Sequence, residues 1–300
     1  NPFSIAYDRK TGLVAMVTPL VDKGAMVLIS KDSGTTWNGI SIPDITATVN
    51  STAMAISDAK IYLALTIPGS GAYYFTGPIE DPSSWTREAL PATAGWKQAL
   101  SANIGLILDS SGKPIVSWYE TQEEGGGRRF ETWRPGGKAV AAVETKQEAD
   151  PLDLSLAAGA GKIGLLFETP LDEKDSDHGV WYTQSSDGAS WSKPSKLPVD
   201  GPRSTNPPLS VAIESHGRIS AVFGANSGTD STTCNYPVLS RSNDGFSWKT
   251  CGPGRAEGGD FTPQPTTLHI IEADNDKAYI LWREVGENKF HEGMLLWHEH

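Results

Sequence analysis

A short turn that returns at intervals of about 50 residues, or twice that, constrains the fold of this chain more than any other feature. It reads "KDSGTTW" (Lys31 to Trp37), "EDPSSW" (Glu80 to Trp85), "SSDGASW" (Ser185 to Trp191) and "SNDGFSW" (Ser242 to Trp248). The last three share Asp-x-x-Ser-Trp without a gap, and the first is one residue longer between Asp32 and Trp37. Trp133 falls in the wide interval and reads as a copy that has lost its aspartate. An aspartate in such a turn accepts backbone N–H groups. Glycine supplies a backbone conformation that other residues avoid. The indole is expected to cover the gap to a neighbouring strand or sheet. Asp32, Asp81, Asp187 and Asp244, with Trp37, Trp85, Trp191 and Trp248, are therefore expected to be structural.

A second repeat runs in step with the first. Six apolar segments begin at Gly12, Lys60, Lys113, Lys162, Arg218 and Lys277, and another short apolar segment precedes each of them. Every unit reads strand, turn, strand, loop, strand, Asp-turn, strand. Four-stranded units of this length are blades, so the sequence predicts an all-β, six-bladed β-propeller with four-stranded antiparallel blades. The chain is expected to form a single propeller domain over 1–300, with blades near 1–44, 45–95, 96–148, 149–200, 201–260 and 261–300. The last unit ends after "GMLLWHEH", which leaves its outer strand unaccounted for. A β-sandwich with a smaller domain is the alternative, and no shift of composition breaks the period in its favour.

Composition agrees, since 31 Gly, 20 Pro and 10 Trp suit turns and strands. A net charge of −11 excludes nucleic-acid and anionic-membrane partners. No apolar run approaches the roughly 20 residues needed to span a bilayer, and the first residues carry no signal-peptide pattern. Cys234 and Cys251 are the only cysteines. Their midpoint lies close to "SNDG", so a disulfide across one hairpin is expected, and with it a secreted or periplasmic location.

In such a fold the loops after second strands and the connections between blades surround any ligand. They hold Asp22, Trp96, Arg128, Arg129 and Arg203, while second strands end in Glu120, Glu168 and Arg283. Aromatics, carboxylates and arginines together suit a sugar or a small anion. The acidic loop Asp172 to Gly179 fails the EF-hand spacing, so no metal is expected there.

The Asp-turns are identified as Asp-boxes, or BNR repeats, and the whole chain resembles the sialidase-like propellers. The N-terminal stretch "FSIAYDRKTGLVAMVTPLVDKGAMVLISKDSGTTW" follows that family's layout, with Phe3 and Ile5 in place but Ser4 where the family has an arginine and Ala6 where it has a proline. The resemblance implies a glycoside hydrolase of exo-glycosidase type that cleaves terminal sugars, with Tyr236 as nucleophile, Glu120 (or Glu168) as its base partner and Asp22 as general acid. It implies substrate anchoring by Arg128 or Arg129 and by Arg203; the strand-end and connector reading adds Arg283 and Trp96 as substrate-binding residues. Losing the first arginine points away from a strict sialidase. No cofactor is implied, the partner is a glycan or small sugar, and a monomer is expected. A non-catalytic Asp-box propeller that binds glycans or proteins is the competing reading.

Overall fold

The computed structural model describes residues 4–20, 24–100, 103–124, 126–145, 153–169, 179–198, 209–223, 238–251, 265–273, 277–285 and 290–298. They form two compact units, Asn1–Glu148 and Ala149–His300. Each unit holds three antiparallel sheets.

In the first unit, the first sheet comprises β1 (Ser4–Asp8), β2 (Leu13–Leu20), β3 (Gly24–Ser30) and β4 (Asn38–Ser41). The second comprises β5 (Ser51–Ser57), β6 (Lys60–Ile67), β7 (Gly71–Pro78) and β8 (Thr86–Ala89). The third has β9 (Trp96–Gln98), β10 (Gly105–Leu108), β11 (Pro114–Gln122), β12 (Arg128–Trp133) and β13 (Val140–Thr145). In the second unit, the fourth sheet is β14 (Leu154–Gly159), β15 (Lys162–Thr169), β16 (Gly179–Ser185) and β17 (Ser195–Lys196). The fifth is β18 (Leu209–Ile213), β19 (Ile219–Phe223), β20 (Val238–Ser242) and β21 (Lys249–Cys251). The sixth has three strands among the described residues, β22 (Pro265–Ala273), β23 (Lys277–Val285) and β24 (Phe290–His298).

Apart from β9, which pairs with β11, each strand within a sheet lies beside its predecessor, and several of the described connections are tight turns. Asp58-Ala59 and Ala160-Gly161 have positive φ at both positions, which is the type I′ geometry of two-residue hairpins. The sheets then pack face to face. Ala15, Val17, Val27 and Ile29 meet Met54, Ile61, Leu63 and Leu65 between the first two sheets. Ala64, Tyr74 and Leu90 meet Leu106, Val116 and Trp118 between the second and third. The second sheet is therefore buried on both faces, and Leu63, Ala64 and Leu65 are each 0 % exposed. In the second unit, Ile219, Ala221 and Phe223 face the fourth sheet while Val222 and Leu239 face Ile270 and Ile280 of the sixth.

First strands lie side by side, β1 beside β5 and β5 beside β10, and likewise β14, β18 and β22. Serines tie them together. Ser51 Oγ accepts the Ile104 N–H at 3.1 Å, Ser155 Oγ that of Val211 at 3.1 Å, and Ser210 Oγ that of Ile270 at 3.2 Å.

The Asp-turns join third and fourth strands, and three of them share one geometry. Asp187 Oδ1 accepts the Ala189 and Ser190 N–H groups, each at 2.8 Å. Asp244 Oδ1 does the same for Phe246 and Ser247 at 2.8 and 2.7 Å. Asp32 takes the Thr36 N–H and hydroxyl at 2.8 and 2.7 Å. These bonds favour the ionised form. Thr36 holds the Asp32 carboxyl at about 2, and the Ser190 and Ala189 amides hold that of Asp187 at about 2. The indole N–H then donates to the turn glycine's carbonyl, Trp37 to Gly34, Trp191 to Gly188 and Trp248 to Gly245.

The last residue of the preceding strand, Ser30, Ser185 or Ser242, completes each turn. Its hydroxyl donates to the aspartate and accepts the glycine N–H at 2.7, 2.8 and 2.8 Å. The Asp244 turn also docks on the neighbouring sheet. Trp248 meets the Tyr182 ring edge-on at 5.3 Å, and Ser195 Oγ donates to the Gly245 carbonyl at 2.7 Å. Gly245 has φ of 83°, and a Cβ there would lie 2.9 Å from the Tyr182 ring.

The structure corrects three expectations. Asp81 anchors a different turn, a 3-10 segment over Pro82–Ser84, and Trp85 bonds the Pro78 carbonyl instead. Trp133 is the last residue of β12 and precedes its turn, so it takes the place of Ser30 and not of Trp37. The register pairs Cys251 with Leu239, so the cysteine midpoint is not the centre of this hairpin. Cys234 lies outside the described residues.

Ser242→Ala leaves the buried Gly245 N–H without its acceptor. It should cost about 1–3 kcal/mol, read as a lower denaturation midpoint, whereas Ser83→Ala, at the exposed Asp81 turn, should leave the midpoint unchanged.

Candidate functional site

Three of the nominated residues, Glu120, Arg129 and Trp96, come together. Glu120 and Arg129 are cross-strand partners on β11 and β12. Their side chains share the sheet face that packs on the second sheet, because Trp118, two residues before Glu120, lies in that interface. Arg129 Nε and Nη2 donate to Glu120 Oε2 at 3.1 and 2.7 Å. Trp118 Nε1 donates to Glu120 Oε1 at 2.9 Å. Both carboxylate oxygens are thus engaged, and Glu120 is 0 % exposed.

A second carboxylate joins the pair. Glu131, opposite Trp118 on the same face, approaches Arg129 Nε through Oε1 at 2.7 Å. Its Oε2 has no hydrogen-bond partner and is buried. Burial pushes the Glu131 carboxyl up to about 7 although Arg129 pulls it down, and Glu120 and Glu144 push the same way as burial. The Trp96 ring covers the guanidinium at 4.1 Å, a cation–π contact. Trp96 reaches this position because β9 pairs with the end of β11, Trp96 opposite Gln122 and Gln98 opposite Glu120. Gln98 fixes β9 from the other side, accepting the Ala72 N–H at 3.1 Å.

Of the remaining nominated residues, Arg128 points to the other face of β12 and donates to the Gly127 carbonyl at 3.2 Å. Arg283 lies on β23 opposite Glu292. Glu168 is 1 % exposed near the end of β15. Asp22, Arg203 and Tyr236 lie outside the described residues. Among the described residues no group of three or more His, Cys, Asp or Glu could hold a metal ion. Among the described residues no helix is long and apolar enough to cross a membrane.

Ser4, at the position of the missing arginine, has a structural counterpart in other sheets. It sits three residues before Tyr7, the partner of Val14, whose β3 partner is Ser30. Ser155 and Ser210 occupy the same register in their sheets, and their hydroxyls accept an amide from the next first strand. Sequence reasoning also missed Trp118 and Glu131. Trp118-x-Glu120 and Arg129-x-Glu131 show both at strand period two, which puts all four side chains on one face.

No protein-family model and no curated protein sequence matches the chain. Solved structures do match in fold. Trypanosoma rangeli sialidase in complex with the inhibitor DANA aligns with TM-score 0.59 and 14 % identity over 98 % of this chain and 53 % of that one, so the chain spans about half its length. A point mutant of Aleuria aurantia lectin bound to α-methyl-L-fucoside aligns with TM-score 0.57 and 11 % identity over 97 % and 93 %. The α-L-arabinofuranosidase Arb93A from Fusarium graminearum, with an iminosugar inhibitor, aligns with TM-score 0.59 and 13 % identity over 99 % and 92 %. These are β-propellers, and with its six antiparallel sheets the chain has the six-bladed β-propeller fold.

Removing Arg129 leaves two buried carboxylates without their counter-charge. Arg129→Leu should destabilise the protein by about 3–5 kcal/mol, measured by chemical denaturation at neutral pH, and Arg128→Leu should cost much less.

Proposed function

We propose that the chain recognises neutral terminal sugars of glycans, outside the cytoplasm, by means of loops at the ends of its second strands. The observation that carries this reading is that propellers matching nearly the whole chain in fold are a lectin bound to a fucoside, an arabinofuranosidase bound to an iminosugar inhibitor and a sialidase bound to the inhibitor DANA. The Ser-x-Asp turns, read as Asp-boxes, belong to the same reading. Ser4 in place of an arginine removes one carboxylate anchor, which favours a sugar without an acid group. Secretion or export to the periplasm goes with a glycan ligand, and a Cys234–Cys251 disulfide there would block alkylation under non-reducing conditions.

Binding without cleavage is favoured by Glu120. A base partner must offer a lone pair to the reacting group, and this carboxylate is buried with both oxygens occupied. Hydrolysis of sialidase type is the second reading. It is supported by the N-terminal layout and by Tyr236 in "NYPVLSRS", with Asp22 as acid, Arg203 as anchor and Glu168 as the remaining glutamate.

On a glycan array the protein should bind structures ending in neutral sugars, and a panel of fluorogenic glycosides should show no turnover. Turnover that disappears in Tyr236→Phe would establish the hydrolase instead. Absence of both binding and turnover would overturn the sugar reading.

A further inference from the structure

The cluster around Arg129 has one cation for two buried carboxylates. Glu120 is 0 % and Glu131 2 % exposed, and Arg129 is 7 % exposed with its guanidinium beneath the Trp96 ring. With both glutamates ionised, this nearly dry site holds a net negative charge, and Glu131 Oε2 meets no donor there. A neutral Glu131 balances the charge of the remaining pair.

Among the described residues, the charged groups that act on Glu131 are Arg129, Glu120 and Glu144. Arg129 lies on its own strand, Glu120 on β11 and Glu144 on β13, where it pairs with Arg129. Tyr74 of the second sheet packs on the same layer against Trp133. Arg129 is the one cation acting on Glu131 among these, and Glu120 and Glu144 both oppose its ionisation.

The element over the cluster is also the smallest in the third sheet. Three residues form β9, and Trp96 presses on the guanidinium that both carboxylates compete for. We propose that Glu131 is a proton-operated latch: protonated, it completes the cluster that holds Trp96–Gln98 on β11, and ionised, it loosens that strand by leaving two buried carboxylates on one guanidinium. The proton leaves to solvent and no other group changes.

The sign follows from the carboxyl's elevation to about 7 from an ordinary 4.5. The folded state holds the proton more tightly than the unfolded chain. The contribution is therefore complete below an ordinary glutamate's range and is lost as pH rises through about 7. The latch is closed in mildly acid surroundings and loosened in alkaline ones. It does not depend on the sugar reading.

Hydrogen exchange of the Lys97 and Ala99 amides, corrected for the intrinsic pH effect, tests this between mildly acid and alkaline pH. Ala99 N–H is bonded to the Tyr119 carbonyl at 2.9 Å, so it reports attachment of this segment to β11. Protection should fall by up to about tenfold per pH unit, the slope of a one-proton step, from the ordinary glutamate range up to about 7, and level off above it. In Glu131→Gln it should be flat across the range. Glu144 is exposed, so Glu144→Gln should fold normally and move the levelling-off to lower pH by removing one repulsive charge. Protection independent of pH in the wild type, the same fall in Glu131→Gln, or an unmoved levelling-off in Glu144→Gln would each overturn the proposal.

Discussion

A sheet whose strands are apolar on both faces cannot end at water, and this constraint governs both units. In β19 and β20 all ten residues, Ile219–Phe223 and Val238–Ser242, are buried, so the fifth sheet needs a neighbour on each side. The second sheet has the same requirement, as consecutive burial at Leu63, Ala64 and Leu65 shows. At roughly 25 cal/mol per Å2 of apolar surface removed from water, such double burial outweighs the cost of ordering short loops. Stacked meanders satisfy it, with first strands brought side by side. Serine hydroxyls then give otherwise unpaired edge amides an acceptor, as Ser155 does for Val211.

Much of this was legible because turn chemistry and strand period are local. The second strands begin at Leu13, Lys60, Pro114, Lys162, Ile219 and Lys277, within one residue of the positions read from sequence. The aspartates were legible for the same reason, since a carboxylate collecting N–H groups needs only its own turn. Ser30, Ser185 and Ser242 were missed because serine is common in turns, and its second partner, the glycine amide, shows only in three dimensions. Trp133 was misplaced because a spacing of tryptophans does not say on which side of a turn the indole stands. The extra strand β9 escaped notice because three residues carry no period.

The site was less legible than the fold. Glu120 and Arg129 were named separately, as base and as anchor, and the structure joins them into one ion pair. Cross-strand register decides this, and register depends on the length of the loop between β11 and β12. The same limit applies to Ser4. Read against a family pattern it is a lost arginine, but read against Ser155 and Ser210 it is a repeat position in a first strand.

The buried pair also decides what kind of chemistry this part of the molecule suits. For Glu120 to accept a proton, it would have to give up charge-assisted bonds to Arg129 while remaining out of water. Such bonds contribute about 1.5–3 kcal/mol each, and nothing in the site replaces them once they are broken. Arg129, engaged by two carboxylates and covered by Trp96, is equally committed and has little positive potential left for an anionic substrate. The cluster therefore acts inward, on the sheets it joins. On the proposed sugar reading, contact with the ligand falls to groups outside this cluster.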